Sequence, residues 1–96
     1  MEVEISTGKP YSDEKNDGYF IRHFDDSLKN NELIWHRDKK NRQITVLNGD
    51  DWKFQYDNSL PFVLNIGDII CVPAEIYHRL IKGTTALSLK IKEIEE

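Results

Sequence analysis

His36, Asp38 and His78 are the residues of this chain whose types and spacing could do chemistry. His36-Arg37-Asp38 is an H-x-D pair. In an extended strand positions i and i+2 project to the same side, so the imidazole and the carboxylate would share one space. His78 comes later in the chain, with several strands between, and a barrel would close that distance. Two neutral imidazoles and one carboxylate on a single face form a facial set that suits Fe(II) and also takes other divalent ions, leaving further positions open for substrate, water or O₂. Each residue also has a plain alternative. Either histidine could be a satisfied core or turn residue, and Asp38-Lys39-Lys40-Asn41 also reads as a polar loop with a salt-bridging aspartate.

The elements that must position these residues follow a period of two, not 3.6. Trp52, Phe54 and Tyr56 alternate with Lys53, Gln55 and Asp57, and Leu87, Leu89 and Ile91 alternate with Ser88, Lys90 and Lys92. Both patterns are half-buried strands. Ile44-Thr45-Val46 is a β-branched run that ends at the turn signal Asn48-Gly49. Ile69-Ile70-Cys71-Val72 is apolar at every position and predicts a strand covered on both faces, with Cys71 an inert buried thiol. Pro73 ends it by removing a donor. Tyr19-Phe20-Ile21 and Leu33-Ile34-Trp35 are further strand candidates, and Asp25–Asn30 could hold one helical turn. Residues 1–18 read as a loose N-terminal strand and loop, rich in polar residues, and Glu93, Glu95 and Glu96 as a solvated acidic tail.

Length and charge exclude several functions. Ninety-six residues allow one domain with one small core and one pocket. A net charge of −4 argues against a phosphate-backbone binder, so no nucleic-acid partner is expected. Apolar runs of a few residues cannot cross a membrane, and the acidic start Met1-Glu2-Val3-Glu4 has no signal-peptide character. One cysteine forms no intramolecular disulfide, which makes a reducing cytoplasm the expected location.

The flanks of the three candidate ligands carry a resemblance. Six residues separate Arg42 from Gly49 downstream of His36 and Asp38. Five separate Gly67 from Pro73 ahead of His78. In this spacing the chain resembles the cupin superfamily over roughly residues 30–82. The resemblance implies an all-β fold, a single-domain double-stranded β-helix or jelly-roll barrel spanning residues 1–96, and a homodimer. It puts His36 and His78 on metal-ligand positions. The departures are equally specific. Asn30 stands at the first glycine, Asp38 at the second histidine, Arg42 at the glutamate, Glu75 at the second-motif glycine and Lys82 at the asparagine.

The resemblance implies a small metal-binding protein. A divalent metal, Fe, Mn, Ni or Zn, would sit on His36, Asp38 and His78. The bound partner would be a small, anionic molecule oriented by the Arg42 guanidinium, with oxygenase- or isomerase-like chemistry if the site is catalytic. Phe54 and Trp52 would stack on that molecule in the functional reading and simply fill the barrel in the plain one. Arg42 also opens a second reading. If it pairs with Asp38, it places positive charge beside the metal position, and two unit charges about 4 Å apart interact by roughly 4 kcal/mol at an effective dielectric near 20. The site would then be a metal-free pocket for a sugar or carboxylate. A third reading is a structural protein whose retired site is filled by Trp52, Phe54 and Tyr56.

Overall fold

The computed structural model describes residues 10–94. Residues 1–9 of the N-terminal arm, with its acidic start, and Glu95 and Glu96 of the tail lie outside the described residues. Eight strands follow in chain order: β1 (Tyr11–Asn16), β2 (Tyr19–Phe24), β3 (Asn41–Asn48), β4 (Lys53–Tyr56), β5 (Phe62–Val63), β6 (Ile69–Val72), β7 (His78–Ile81) and β8 (Leu87–Ile94). One short 3₁₀ turn, Asn30–Glu32, lies between β2 and β3. The strands form two antiparallel sheets, a larger one ordered β1-β2-β8-β3-β6 and a smaller one ordered β5-β4-β7.

The sequence periods explain which faces meet. Phe24 on β2, Ile44 and Val46 on β3, Val72 on β6 and Leu87, Leu89 and Ile91 on β8 are buried, as are Trp52 ahead of β4 and Phe54 within it. Together they are the core between the sheets. Tight turns set the registers. Asp17-Gly18 joins β1 to β2 as a two-residue hairpin loop, with Asn16 opposite Tyr19 and Gly18 at φ 86°. That turn needs a strand on each side, and this is what makes a strand of the polar run Tyr11–Asn16. Its polar outer edge also resists pairing with another chain.

Two expectations fail at β6. The run Ile69–Val72 is not covered on both faces. It is an edge strand of the larger sheet, with Ile70 and Val72 turned inward, while Ile69 is 61% exposed and Cys71 is exposed. An apolar run does not itself reveal whether a second layer exists, and here only one face has a partner sheet. Cys71 of the folded protein should therefore react with a thiol reagent such as dithiobisnitrobenzoate at close to the rate of a small free thiol. Reaction only after denaturation would contradict this placement. The candidate strand Leu33-Ile34-Trp35 is also absent. Leu33 closes the 3₁₀ turn and is buried, while Ile34 and Trp35 are exposed. No helix among the described residues is long and apolar enough to cross a membrane.

Candidate metal centre

The site begins with a backbone contact. His36 and His78 form an isolated antiparallel bridge that exchanges both hydrogen bonds: His36 N–H donates to His78 O at 3.0 Å, and His78 N–H donates to His36 O at 2.9 Å. Residues opposed in this way project their side chains to the same face. The two rings accordingly meet edge to face, with centroids 4.4 Å apart. A further bond, Glu75 N–H to Asp38 O at 2.7 Å, fixes the loop at Asp38. It uses Glu75 at φ 64°, the left-handed conformation that explains why a glycine is usual there in cupins. Asp38 lies beyond the bridge and outside any strand, yet two residues after His36 it still turns to the same space.

One ligand atom from each of His36, Asp38 and His78 lies within 4.8 Å of the other two. Both imidazoles are oriented by backbone carbonyls. His36 Nδ1 is 3.1 Å from Ile34 O, and His78 Nδ1 is 2.8 Å from Ile76 O. A carbonyl only accepts, so Nδ1 carries the proton in each ring and a neutral ring keeps a lone pair on Nε2. Carbonyl partners of this kind also fix metal-binding histidines. His78 Nε2 sits 3.3 Å from Asp38 Oδ2, which is buried and has no well-aligned hydrogen-bond partner. With a neutral His78 two acceptors face each other, and either a proton or a cation between them satisfies both. Phe54 lies nearly parallel to His78, with centroids 5.3 Å apart, and supports that ring.

Arg42 lies on β3, on the inward face with Ile44 and Val46. Its Nη1 is 3.2 Å from Asp38 Oδ1, and its Nη2 donates to Glu93 Oε2 at 3.0 Å. The Asp38 contact uses one nitrogen and one oxygen, leaving Oδ2 to the histidines. Glu93 is the residue that sequence reasoning missed. It lies directly opposite Arg42 on β8 and continues the inward parity of Leu87, Leu89 and Ile91. That parity was the available signal, obscured by reading Glu93 as part of a tail.

Two of the three groups, His36 and Asp38, are held in metal-binding protonation states. Burial lowers the His36 pKa from its ordinary value, and the neighbouring His78 and Arg42 add to this against the carbonyl of Ile34 and the charge of Asp38. Burial alone would raise the Asp38 carboxyl. The His78 ring and the positive charge of Arg42 outweigh it, and the net shift is downward. Both shifts have the same sign for stability. The fold favours neutral His36, a contribution present above the unfolded value near 6.5 and lost as pH falls through it. It also favours ionised Asp38, a contribution lost at still lower pH. The urea midpoint should therefore fall between about pH 7 and pH 5, with a smaller fall in His36→Asn. An unchanged slope in that variant would contradict the assignment to His36.

These side chains close one end of a cavity of about 400 Å³, within the range of small-molecule sites. Most of its lining is apolar, including Phe24, Leu33, Ile44, Phe54, Leu80 and Leu89, with Arg22 and Glu32 also on it. The structure brings His36, Asp38, His78, Arg42 and Phe54 to this cavity. It does not bring Trp52, which is fully buried in the core with its Nε1–H donating to Thr85 O at 2.7 Å. A side chain enclosed on all sides has no face to offer a ligand, so the stacking role expected for Trp52 does not hold. The cavity is open, so the expected filling of a retired site by Trp52, Phe54 and Tyr56 is also absent. Trp35 points away from the cavity, beneath the Arg79 guanidinium at 4.8 Å. On the outer face His23 links Ser88 Oγ at 3.1 Å and Glu14 Oε1 at 3.2 Å, a cross-strand ladder on an open surface.

No protein-family profile matches the sequence, and no curated protein matches it. Solved structures do match. A cupin-2 domain protein from Shewanella frigidimarina superposes with a TM-score of 0.60 at 13% identity, covering 86% of this chain and 80% of that one. The cupin domain of Schizosaccharomyces pombe Cnp3 gives a TM-score of 0.67 at 12% identity over 90% of this chain and 60% of that one. Fe(II)-HppE with an alternative substrate gives 0.66 at 14% identity over 88% of this chain, which spans 48% of that longer protein. At such identities the likeness is one of fold.

Proposed function

The chain has the cupin fold, and from that premise we propose that it binds a divalent metal through His36, Asp38 and His78 and takes a small molecule into the adjoining cavity. The observation that carries this reading is the acceptor pair. With Nδ1 of His78 committed to Ile76 O, its Nε2 edge faces the buried Asp38 Oδ2 at 3.3 Å, and a metal ion there would be bound by both. The His36 Nε2 lone pair completes a facial set suited to Fe, Mn, Ni or Zn. HppE, which shares the fold, has been solved with Fe(II) and with Co(II). A bound ion would supply Lewis-acid activation or, as iron, reaction with O₂. The protein's own part is to fix both rings through carbonyls, hold Asp38 ionised and leave the cavity side open.

A second reading has its own support. The Arg42–Asp38 ion pair already compensates the carboxylate without a metal, which would make the site a metal-free binding pocket. Elemental analysis separates the two. Protein purified without chelator, or reloaded anaerobically with Fe(II) or Mn(II) and dialysed, should hold close to one metal per chain. His36→Ala and His78→Ala should each lose it, with circular dichroism confirming that the variants fold. No retained metal in the folded wild type would leave only the second reading.

A further inference from the structure

We infer that the cavity takes a molecule with an apolar body and a single polar head, not a sugar, phosphate ester or dicarboxylate. Only the placement of the head at the metal rests on the reading above. The cavity lining holds one polar cluster, His36, Asp38, Arg42 and His78, among mainly aliphatic and aromatic side chains. Two cations line it, and both are already neutralised. Arg22 is held by Asp13 through two hydrogen bonds, 2.8 Å from Nε and 2.9 Å from Nη2, with its guanidinium stacked 3.7 Å over the Tyr11 ring. Arg42 spends Nη1 on Asp38 and Nη2 on Glu93, and its buried Nε–H is left without a partner. The lining carboxylate Glu32 accepts from Lys29 N–H at 2.9 Å. A ligand therefore meets two compensated cations and one spare Arg42 N–H, enough for a single polar head but not for several anionic groups.

The same census decides against a sugar. A buried hydroxyl without a partner costs a few kcal/mol, and a sugar carries several around its ring. Walls such as Phe24, Leu80, Leu89 and Ile91 offer none of them a hydrogen bond. An aliphatic chain or an aryl ring fits these walls and gains from leaving water. At interior packing density the space suits roughly 10–20 non-hydrogen atoms. The single head then falls at the end where the Nε2 lone pairs and Asp38 Oδ2 converge.

The test uses the neutral fluorophore N-phenyl-1-naphthylamine on the whole chain, chelated and Mn(II)-loaded, with metal content measured on the same samples. The fluorophore should bind, and octanoate or benzyl alcohol should displace it at concentrations about 100-fold below those of succinate or glucose. Octanoate and acetate share the single carboxylate head and differ in the body, so their ratio, measured alongside, reads the body alone. Leu80→Gln, checked by circular dichroism, should weaken the fluorophore by about tenfold. The inference falls if succinate or glucose competes as well as octanoate, if the fluorophore does not bind, or if a folded Leu80→Gln variant binds it unchanged. Apolar binding without metal would overturn the metal reading and leave this one standing. Bound metal with no apolar preference would do the reverse.

Discussion

Glu93→Gln is expected to weaken divalent-metal binding and Arg42→Gln to strengthen it, each by about tenfold, as read by competition against a metal indicator dye. The argument is one of charge. With neutral histidines, Asp38 and Glu93 contribute −1 each and Arg42 contributes +1, so the set is net −1. Without Glu93 the set is neutral and the guanidinium is uncompensated beside the incoming ion. Without the guanidinium it is net −2. Two unit charges about 4 Å apart in partly buried surroundings interact by roughly 4 kcal/mol, and greater separation and solvent reduce this, so about tenfold is a modest expectation. Glutamine keeps an amide donor within reach of Asp38, so the carboxylate need not be released. The two variants must move in opposite directions. A loss of affinity in both would mean that Arg42 matters as a positioning residue for Asp38 more than as a charge. No change in either would mean that the ion sits elsewhere.

Glu93 also explains how a cupin-like site tolerates a cation at the position where a glutamate is usual. The register of β3 against β8 brings a carboxylate directly opposite Arg42. A sequence motif counts residues along the chain and carries no information about a neighbouring strand.

The same distinction runs through the rest of the molecule. What depends on local pattern was legible. The alternation in Trp52–Tyr56 and Leu87–Ile91 gave inward faces, and Asn48-Gly49 marked a strand end. The association of His36, Asp38 and His78 was legible from spacing, but its cause was not. Asp38 follows His36 outside any strand, and it is the paired bonds between His36 and His78 that align the site. What depends on the number of layers was not legible. Ile69–Val72 has the composition of a doubly covered strand, and its edge position follows from a sheet order that ends at β6. Polar β1 has no apolar signal at all, and only the demand of the Asp17-Gly18 hairpin for two strands points to it.

Trp52→Ala should strongly destabilise the whole chain, whereas a ligand-stacking tryptophan would cost only ligand affinity. Trp52 has no exposed surface and packs against Phe24, with ring centroids 5.8 Å apart. Truncating such a side chain costs about 3–5 kcal/mol, a large share of the roughly 5–15 kcal/mol that holds a domain of this size together. The indole also anchors backbone. Its Nε1–H satisfies Thr85 O just before β8 begins, while Trp52 O accepts Leu64 N–H at 2.8 Å. Gly83 lies so close that an added Cβ would press on Asp50 O, Trp52 N and the indole itself, and two of these contacts are backbone that cannot swing aside. Gly83→Ala should therefore destabilise by about 1–3 kcal/mol through overpacking at the same point. Trp52→Phe, which keeps most of the volume and loses the donor, should fall between wild type and Trp52→Ala. Urea unfolding followed by circular dichroism would rank all three. A cooperative, near-wild-type transition in Trp52→Ala would show that the join between β4 and β8 is held by something other than this ring.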